Sequence, residues 1–382
     1  MDDLSPSRPD PLVSVVVPAF NAAEYIERTL HSAAQQTYKH LEIIVVNDGS
    51  TDDTLSIAEK FTRRDDRLRI ITISNGGVAR ARNLGVAAAR GAFVAFLDAD
   101  DLWHPAKLVE QVRAMTDGNG RIYAASYVLH RRIDWDDRVV GSSHPDVCSG
   151  SILARHLVGK FVGNGSSLMA RRSVVLSVGG FDPSYADAGI GGCEDLDIEL
   201  KLAERFRIVG VPSYLVGYRS YPGNMSSDST RMARSIVATV ERRLAANPDL
   251  PRVVRNSSRF STHMVAANIL FNKGQALEAA QAALQVFRYS PVEGSILFAH
   301  LAKRYLHVLL DSRAGSDMPA VSSAEALKPR FFELDPSERI DEVAVRNRTG
   351  LRLAALALID KGRKKRLAAL DRIDNARISK LS

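Results

Sequence analysis

Between Val13 and Leu97 the chain repeats one pattern: a short apolar run, a polar turn, then apolar residues at helical spacing. Val13–Val17 ends at Pro18, and Ala22, Ile26, Leu30 and Ala33 then mark one face of a helix expected from Asn21 to about Gln36. Leu41–Val46 predicts a second strand, closed by the turn Asn47-Asp48-Gly49-Ser50. Ser50, Thr51 and Asp52 are cap-type residues for a helix through Phe61. Leu68–Ile73, Gly77–Ala89 and Ala92–Leu97 continue as strand, helix and strand. Links this short imply parallel strands joined by right-handed crossovers, hence an α/β sheet flanked by helices.

After Trp103 the pattern loosens. A helix near Pro105–Met115 precedes a β-like stretch, Ile122–Leu129, and a polar excursion to about Gly150. Asp195–Arg205 has helical periodicity, and two short strands, Ile208–Val211 and Tyr214–Arg219, follow it. Pro222–Thr230 reads as a linker. Beyond Arg231 strand signals nearly vanish: His263–Phe287 and Pro291–Leu310 suggest helical hairpins, Asp311–Arg330 a loose connection, and Gly350–Ser382 one or two closing helices.

Composition narrows the classes. Apolar residues are 45% and charged residues 25% of 382, ordinary for a globular chain, which excludes wholesale disorder. No apolar run reaches membrane-spanning length. The N-terminal MDDLSPSRPDPL has no apolar core and does not read as a secretory signal, and Cys148 and Cys193 make no disulfide framework. A cytoplasmic location is expected. The net charge of +7 is uneven: Asp341–Ser382 holds eleven Lys/Arg against five Asp/Glu, leaving 40 against 39 in the first 340 residues. The surplus belongs to the tail. Arg363–Arg366, flanked by Leu353–Ile359 and Leu367–Ile373, suits either a solvated basic helix face or peripheral contact with an anionic membrane at its inner face. No nucleic-acid-binding module accompanies it, so no nucleic acid partner is expected.

Ligands on open α/β sheets bind beyond the carboxyl ends of the strands. The polar clusters Pro18–Asn21, Asn47–Asp53 and Asp98–Asp101 all fall there. Asp98 and Asp100, two apart on an extended segment, share one side. One or two carboxylates completed by phosphate oxygens is a setting for Mg²⁺ or Mn²⁺. Asp48 offers a carboxylate to a base N–H, and Ser50–Asp52 are left to turn and cap chemistry.

Four ordered blocks carry a resemblance: VSVVVPAFNAAEYIERTLHSAAQQTY, LEIIVVNDGSTDDT, GGVARARNLGVAAARGAFVAFLDADD, and GGFDPSY followed by CEDLDIELKLA. Together, over about Val13 to Ser226, they resemble the family-2 glycosyltransferases. The resemblance implies a GT-A type, Rossmann-like, mostly parallel sheet, a nucleotide-diphosphate sugar donor, a divalent metal and inversion at the anomeric carbon. It implies that Pro18, Phe20, Asn21, Asp48, Arg82, Asn83 and Asp98 surround the nucleotide sugar and that Asp100 binds the metal. Asp195 is implied as general base, with Glu194 as acceptor contact or support. Where many relatives carry a histidine two residues after a Tyr-Arg pair, this chain has Tyr221. No Gln/Arg-x-x-Arg-Trp motif is present, which favours single-sugar transfer over processive polymerisation.

The expected organisation is a disordered arm over 1–12, a catalytic domain over 13–225 and a mainly helical region over 231–382 with its basic tail. The expected reaction moves one sugar, from a UDP-sugar first of all, to a hydroxyl of a glycan or lipid-linked acceptor. Two alternatives stand beside it: a sugar nucleotidyltransferase, and a non-catalytic nucleotide-sugar-binding protein.

Overall fold

The computed structural model describes residues 10–117, 122–221, 223–224, 228–289, 295, 328–339 and 369–376. The first half runs β1 (Val13–Ala19), α1 (Ile26–Ala34), β2 (Leu41–Asp48), α2 (Thr54–Thr62), β3 (Leu68–Ile73), α3 (Val78–Ala88) and β4 (Phe93–Phe96). It continues through β5 (Leu102–Trp103), α4 (Lys107–Thr116), β6 (Ala125–Ile133), β7 (Val139–Ser142), α5 (Leu153–Gly159) and β8 (Leu168–Arg171). Then come α6 (Arg172–Ser177), α7 (Ser184–Asp187), α8 (Glu194–Arg205), β9 (Ile208–Arg219), α9 (Ser229–Ala246), α10 (Arg252–Asn272) and α11 (Ala276–Tyr289).

The strands form one sheet in the order β3-β2-β1-β4-β8-β6-β9-β5, with β7 added on β6. β3, β2, β1 and β4 are parallel, as the alternating pattern predicts. β8 runs antiparallel to β4 and β6, so the sheet becomes mixed where the sequence pattern loosens. Both faces are covered. Val13, Val15 and Val17 of β1 join one core with Ile26, Leu30, Phe61 and Leu108 of α1, α2 and α4. Val16 and Phe96 point the other way, into a core shared with Ala81 of α3, Leu200 of α8 and Val240 of α9. Burial on both faces is why these strands read as unbroken apolar runs rather than alternating ones. Each such side chain contributes roughly 1.5–3 kcal/mol. α3 lies so close to β1 that a Cβ on Gly85 would sit 2.2 Å from Val16 Cγ1.

Four expectations change in detail. The first helix starts at Ile26, not Asn21. Residues 21–23 instead give their N–H groups to the β2–α2 loop: Asn21 to Ser50 Oγ, Ala22 to Thr54 Oγ1 and Ala23 to Asp52 Oδ2. Side chains expected only to cap α2 therefore tie two strand-end loops together. The two short strands after α8 are one, β9, whose pairing with β6 skips from Val211 to Tyr214 across Pro212. The polar excursion before Gly150 contains strand β7. The hairpin expected within His263–Phe287 is α10 and α11 turning at Gly274.

Residues 369–376 form a short helix that packs on the α/β core. Leu370 is buried there with Ile373 against the same cluster, and Asp374 accepts from the N–H groups of Ala154 and Arg155 at the start of α5. Those two apolar side chains, which a membrane-surface helix would turn to lipid, face protein instead, Leu370 buried and Ile373 partly so. The helices expected at Pro291–Leu310 and over Gly350–Ser382 lie outside the described residues except at 295 and 369–376, and the Arg363–Arg366 run lies outside them altogether.

Candidate active site

A cavity of about 780 Å³ opens beyond the carboxyl ends of β1, β2 and β4. Pro18, Phe20, Asn21, Asp48, Arg82, Asp98, Asp100, Glu194 and Asp195 all line it. Residues up to 177 positions apart in sequence thus meet on one surface, as the three strand-end clusters and the α8 motif together predict. Asn83 is the exception among the candidates: it is not a lining residue. Its amide donates to the Phe181 carbonyl at 2.8 Å and accepts the Phe181 N–H at 2.9 Å. Gly180, at φ +66°, allows this approach, since a Cβ there would sit 2.4 Å from Asn83 Oδ1. Asn83 therefore holds the Gly179–Phe181 turn against α3.

Asp48 is buried at the end of β2, and its two carboxylate oxygens accept the N–H groups of Gly76 and Gly77, each at 2.8 Å. The residue expected to meet a base thus also fixes the loop that leads into α3. Phe20 stands half-exposed at the mouth, and Asn21 adopts φ +47° with its side chain accepting from Thr51 N–H.

The three acids after β4 diverge in role. Asp98 pairs with Arg82 at 2.6 Å. Burial lowers the pKa of that guanidinium, but the charges of Asp98, Glu194 and Asp195 outweigh it and hold it above its ordinary value. Asp100 faces the cavity and accepts from the Tyr221 hydroxyl at 3.1 Å. Burial, then the neighbouring charge of Asp98, pushes Asp100 up to about 6. Asp101 points away and is fully buried, accepting from Ser166 Oγ and from Arg219 N–H. Behind them Arg219, wholly buried, donates to the Asp100 carbonyl at 2.7 Å, the Asp134 carbonyl at 2.6 Å and Asp137 Oδ1 at 2.5 Å. Its guanidinium lies 4.7 Å from the centre of the Tyr25 ring. The end of β9 is thereby fastened under the acid loop.

Two carboxylates crowded at the cavity, Asp100 among them with a raised pKa, suit a divalent cation whose remaining ligands come from a diphosphate. Among the described residues no group of three or more His, Cys, Asp or Glu could hold a metal by itself. Tyr221 occupies, with a hydroxyl on Asp100, the place where a histidine ligand was in question.

On α8, Glu194 accepts the Gly192 N–H at 2.7 Å, and Asp195 accepts the Leu196 N–H at 2.7 Å. Asp197, turned away from the cavity, pairs with Lys201 and Arg243. Asp195 makes no such ion pair among the described residues; burial, then the charges of Glu199 and Glu194, pushes it up to about 8. Sequence reasoning missed Glu199, Lys160 and Asn164, which also line the cavity. Glu199 was within reach, because it stands four residues after Asp195 on the same helix face. Lys160 and Asn164 follow α5 in an irregular segment that carries no periodic signal.

Residues 14–173 match the family described as Glycosyl transferase family 2. The chain carries a family-2 glycosyltransferase domain. TuaG of Bacillus subtilis, named for teichuronic acid biosynthesis, is 44% identical over 120 residues, 31% of this chain and 48% of that protein. The chondroitin synthase of Pasteurella multocida is 35% identical over 134 residues, 35% of this chain and 14% of that one. The chain thus spans about half, or less, of the length of these curated relatives. The mannosyltransferase PcManGT from Pyrobaculum calidifontis, solved with GDP-Man and Mn²⁺, shares the fold at a TM-score of 0.52 and 20% identity. That likeness covers 78% of this chain and 81% of the mannosyltransferase. The family-2 domain ends just past β8, so the match stops short of α8, Asp195 and β9.

Proposed function

We propose that this chain transfers a single sugar, with inversion, from a nucleotide-diphosphate sugar to a hydroxyl of a glycan or lipid-linked acceptor. One observation carries the reading: the Asp98/Asp100 pair and Asp195 line the same cavity of a family-2 glycosyltransferase domain extended by α8. Residues 13–225 form the catalytic domain in this reading, and 231–382 a helical region attached to it.

Asp195 takes the proton of the attacking acceptor hydroxyl on its carboxylate as that oxygen bonds to the anomeric carbon. Its raised pKa suits it to the task, since a base works best with a pKa near the working pH. Arg82, bonded to Asp98, supplies fixed positive charge beside the acids. Pro18, Phe20, Asn21, Asp48 and Asp98 surround the nucleotide and ribose. Asp100, with Asp98 beside it, would hold Mg²⁺ or Mn²⁺, which when bound stabilises negative charge on the leaving diphosphate. Glu194 braces the turn that enters α8.

The test incubates the purified chain with UDP-sugars and GDP-Man, with Mn²⁺ or with EDTA. Release of nucleoside diphosphate that EDTA abolishes is expected, with UDP-sugars tried first. Pyrophosphate release would indicate a nucleotidyltransferase, and binding without release a non-catalytic protein. No helix among the described residues is long and apolar enough to cross a membrane. Peripheral contact at the cytoplasmic face through Arg363–Arg366 is tested by vesicle binding. Because residues 369–376 pack on α5, Gln substitution of the four basic residues is the cleaner comparison than truncation.

A further inference from the structure

One helical turn beyond Asp195 the cavity wall holds groups that the proposed transfer does not use. His156 on α5 is wholly buried, and its Nδ1 accepts the Phe161 N–H at 3.0 Å. The ring proton therefore sits on Nε2, which donates to Glu199 Oε2 at 3.0 Å. The ring is neutral, and burial pushes it down to about 3. Glu199 is 2% exposed, and its other oxygen, Oε1, is buried with no partner among the described residues.

The charge around Glu199 decides what Oε1 is. Arg82 faces it from α3, and Glu194 and Asp195 flank it on α8. One guanidinium, already bonded to Asp98, cannot hold all these carboxylates ionised in a buried setting. Burial pushes Glu199 well above the usual carboxylate range. With Oε2 taken by the imidazole N–H, the proton of a neutral Glu199 belongs on Oε1, where none of the described residues accepts it. A second group matches. Asn164, 4% exposed, accepts the Ser167 N–H and hydroxyl on Oδ1, which fixes its amide and leaves buried Nδ2 without a partner among the described residues. Both residues line the cavity. Two buried, oriented donors without acceptors on a cavity wall mark a place for ligand oxygens.

We propose that Glu199, oriented by His156, and Asn164 form a subsite that hydrogen-bonds hydroxyl oxygens of a sugar ring seated beside Asp195, and so selects that sugar. The inference rests on the glycosyltransferase reading of this cavity. Sugar hydroxyls fit because each accepts from such donors and can still donate elsewhere. A ring lacking the matching hydroxyl leaves the donors unpaired, the setting in which sites discriminate strongly. The ring belongs either to the donor or to the acceptor, and kinetics separates the two.

The experiment compares the full-length wild type with Glu199→Ala, Glu199→Gln and Asn164→Ala. Steady-state kinetics are run with UDP-GlcNAc, UDP-glucose and GDP-Man, first in water alone and then with the acceptor. Glu199→Ala is expected to raise KM for the sugar substrate at least about tenfold with a smaller change in kcat. Glu199→Gln, whose amide can accept from His156 and donate into the cavity, is expected to recover most of that loss. Binding of plain UDP and GDP is expected to stay within about twofold, because the subsite touches sugar rather than nucleotide. A KM effect already present in water assigns the donor ring; one seen only with acceptor assigns the acceptor ring. Unchanged KM in folded Glu199→Ala overturns the proposal, as does Gln failing to recover activity or UDP binding weakening in proportion. Should Glu199→Ala not fold, Asn164→Ala carries the same comparison. A wild type that releases no nucleoside diphosphate from any donor refutes the glycosyltransferase reading instead. Wild-type turnover with unmoved variants refutes only the subsite.

Discussion

The two sides of the cavity are built by different means. On the β1–β4 side, candidate residues sit at strand ends, and backbone geometry places them. Loops are tied there through backbone N–H groups, Asn21 to the Ser50 hydroxyl and Gly76 and Gly77 to the Asp48 carboxylate. On the α8–β9 side, buried ionisable side chains reach across the fold: Arg219 to Asp100, Asp134 and Asp137, and His156 to Glu199. The first side tolerates solvent at its edge, with Phe20 half-exposed. The second keeps its ionisable groups dry, and burial pushes Asp195 up to about 8 and Glu199 above the usual carboxylate range. The contrast teaches how each side is built: the sheet side places its residues through strand-end backbone, and the helix side sets the proton affinity of Asp195 through buried neighbours.

Removing the group that the dry side tunes should have the largest effect. Asp195→Asn is expected to lower kcat by about 10³-fold, within the range for loss of a general base, with donor binding by calorimetry nearly unchanged. Retention of near wild-type turnover would move catalysis off α8. Next is the fastening of that side. Arg219→Ala leaves buried acceptors without their donor and should cost about 3–5 kcal/mol in denaturant unfolding. Arg82→Ala breaks a pair whose Asp98 partner is about a quarter exposed. It should cost about 3 kcal/mol, the low end for such pairs, and weaken donor binding.

The pH profile separates the two sides by charge. With Asp195 at about 8 and needed as the carboxylate, kcat/KM should rise with pH and level off above 8. Below that pKa it should fall roughly tenfold per unit. A limb near 4 would mean that the surrounding carboxylates do not act on Asp195. The smallest effect is expected at the seam: Tyr221→Phe removes one hydroxyl from Asp100 and should cost about 1 kcal/mol in unfolding. A complete loss of Mn²⁺-dependent donor binding in that variant would make Tyr221 part of the metal site rather than a support.

Legibility follows the same division. The parallel strands, their crossovers and the convergence of Pro18–Asn21, Asp48 and Asp98–Asp100 were readable because buried strands and strand-end loops leave a local periodic trace. Asn83 was misplaced because an Arg-Asn pair on a helix gives no sign of which member turns to the cavity and which to the neighbouring turn. β9 was split because Pro212 marks a break in pairing that looks like a break in the strand. Arg219 was visible only as half of a Tyr-Arg pair, and nothing near it in sequence names Asp134 or Asp137 as its partners.

The sequence by itself determined the α/β architecture, the strand-end acids and the family-2 domain, because these depend on spacing along the chain. Tertiary structure alone decided which acid faces the cavity, that residues 369–376 join the core, and that Glu199 meets His156. Those outcomes turn on burial and on charges brought together from distant segments. Desolvation and Coulomb terms depend on three-dimensional neighbours that no local pattern encodes.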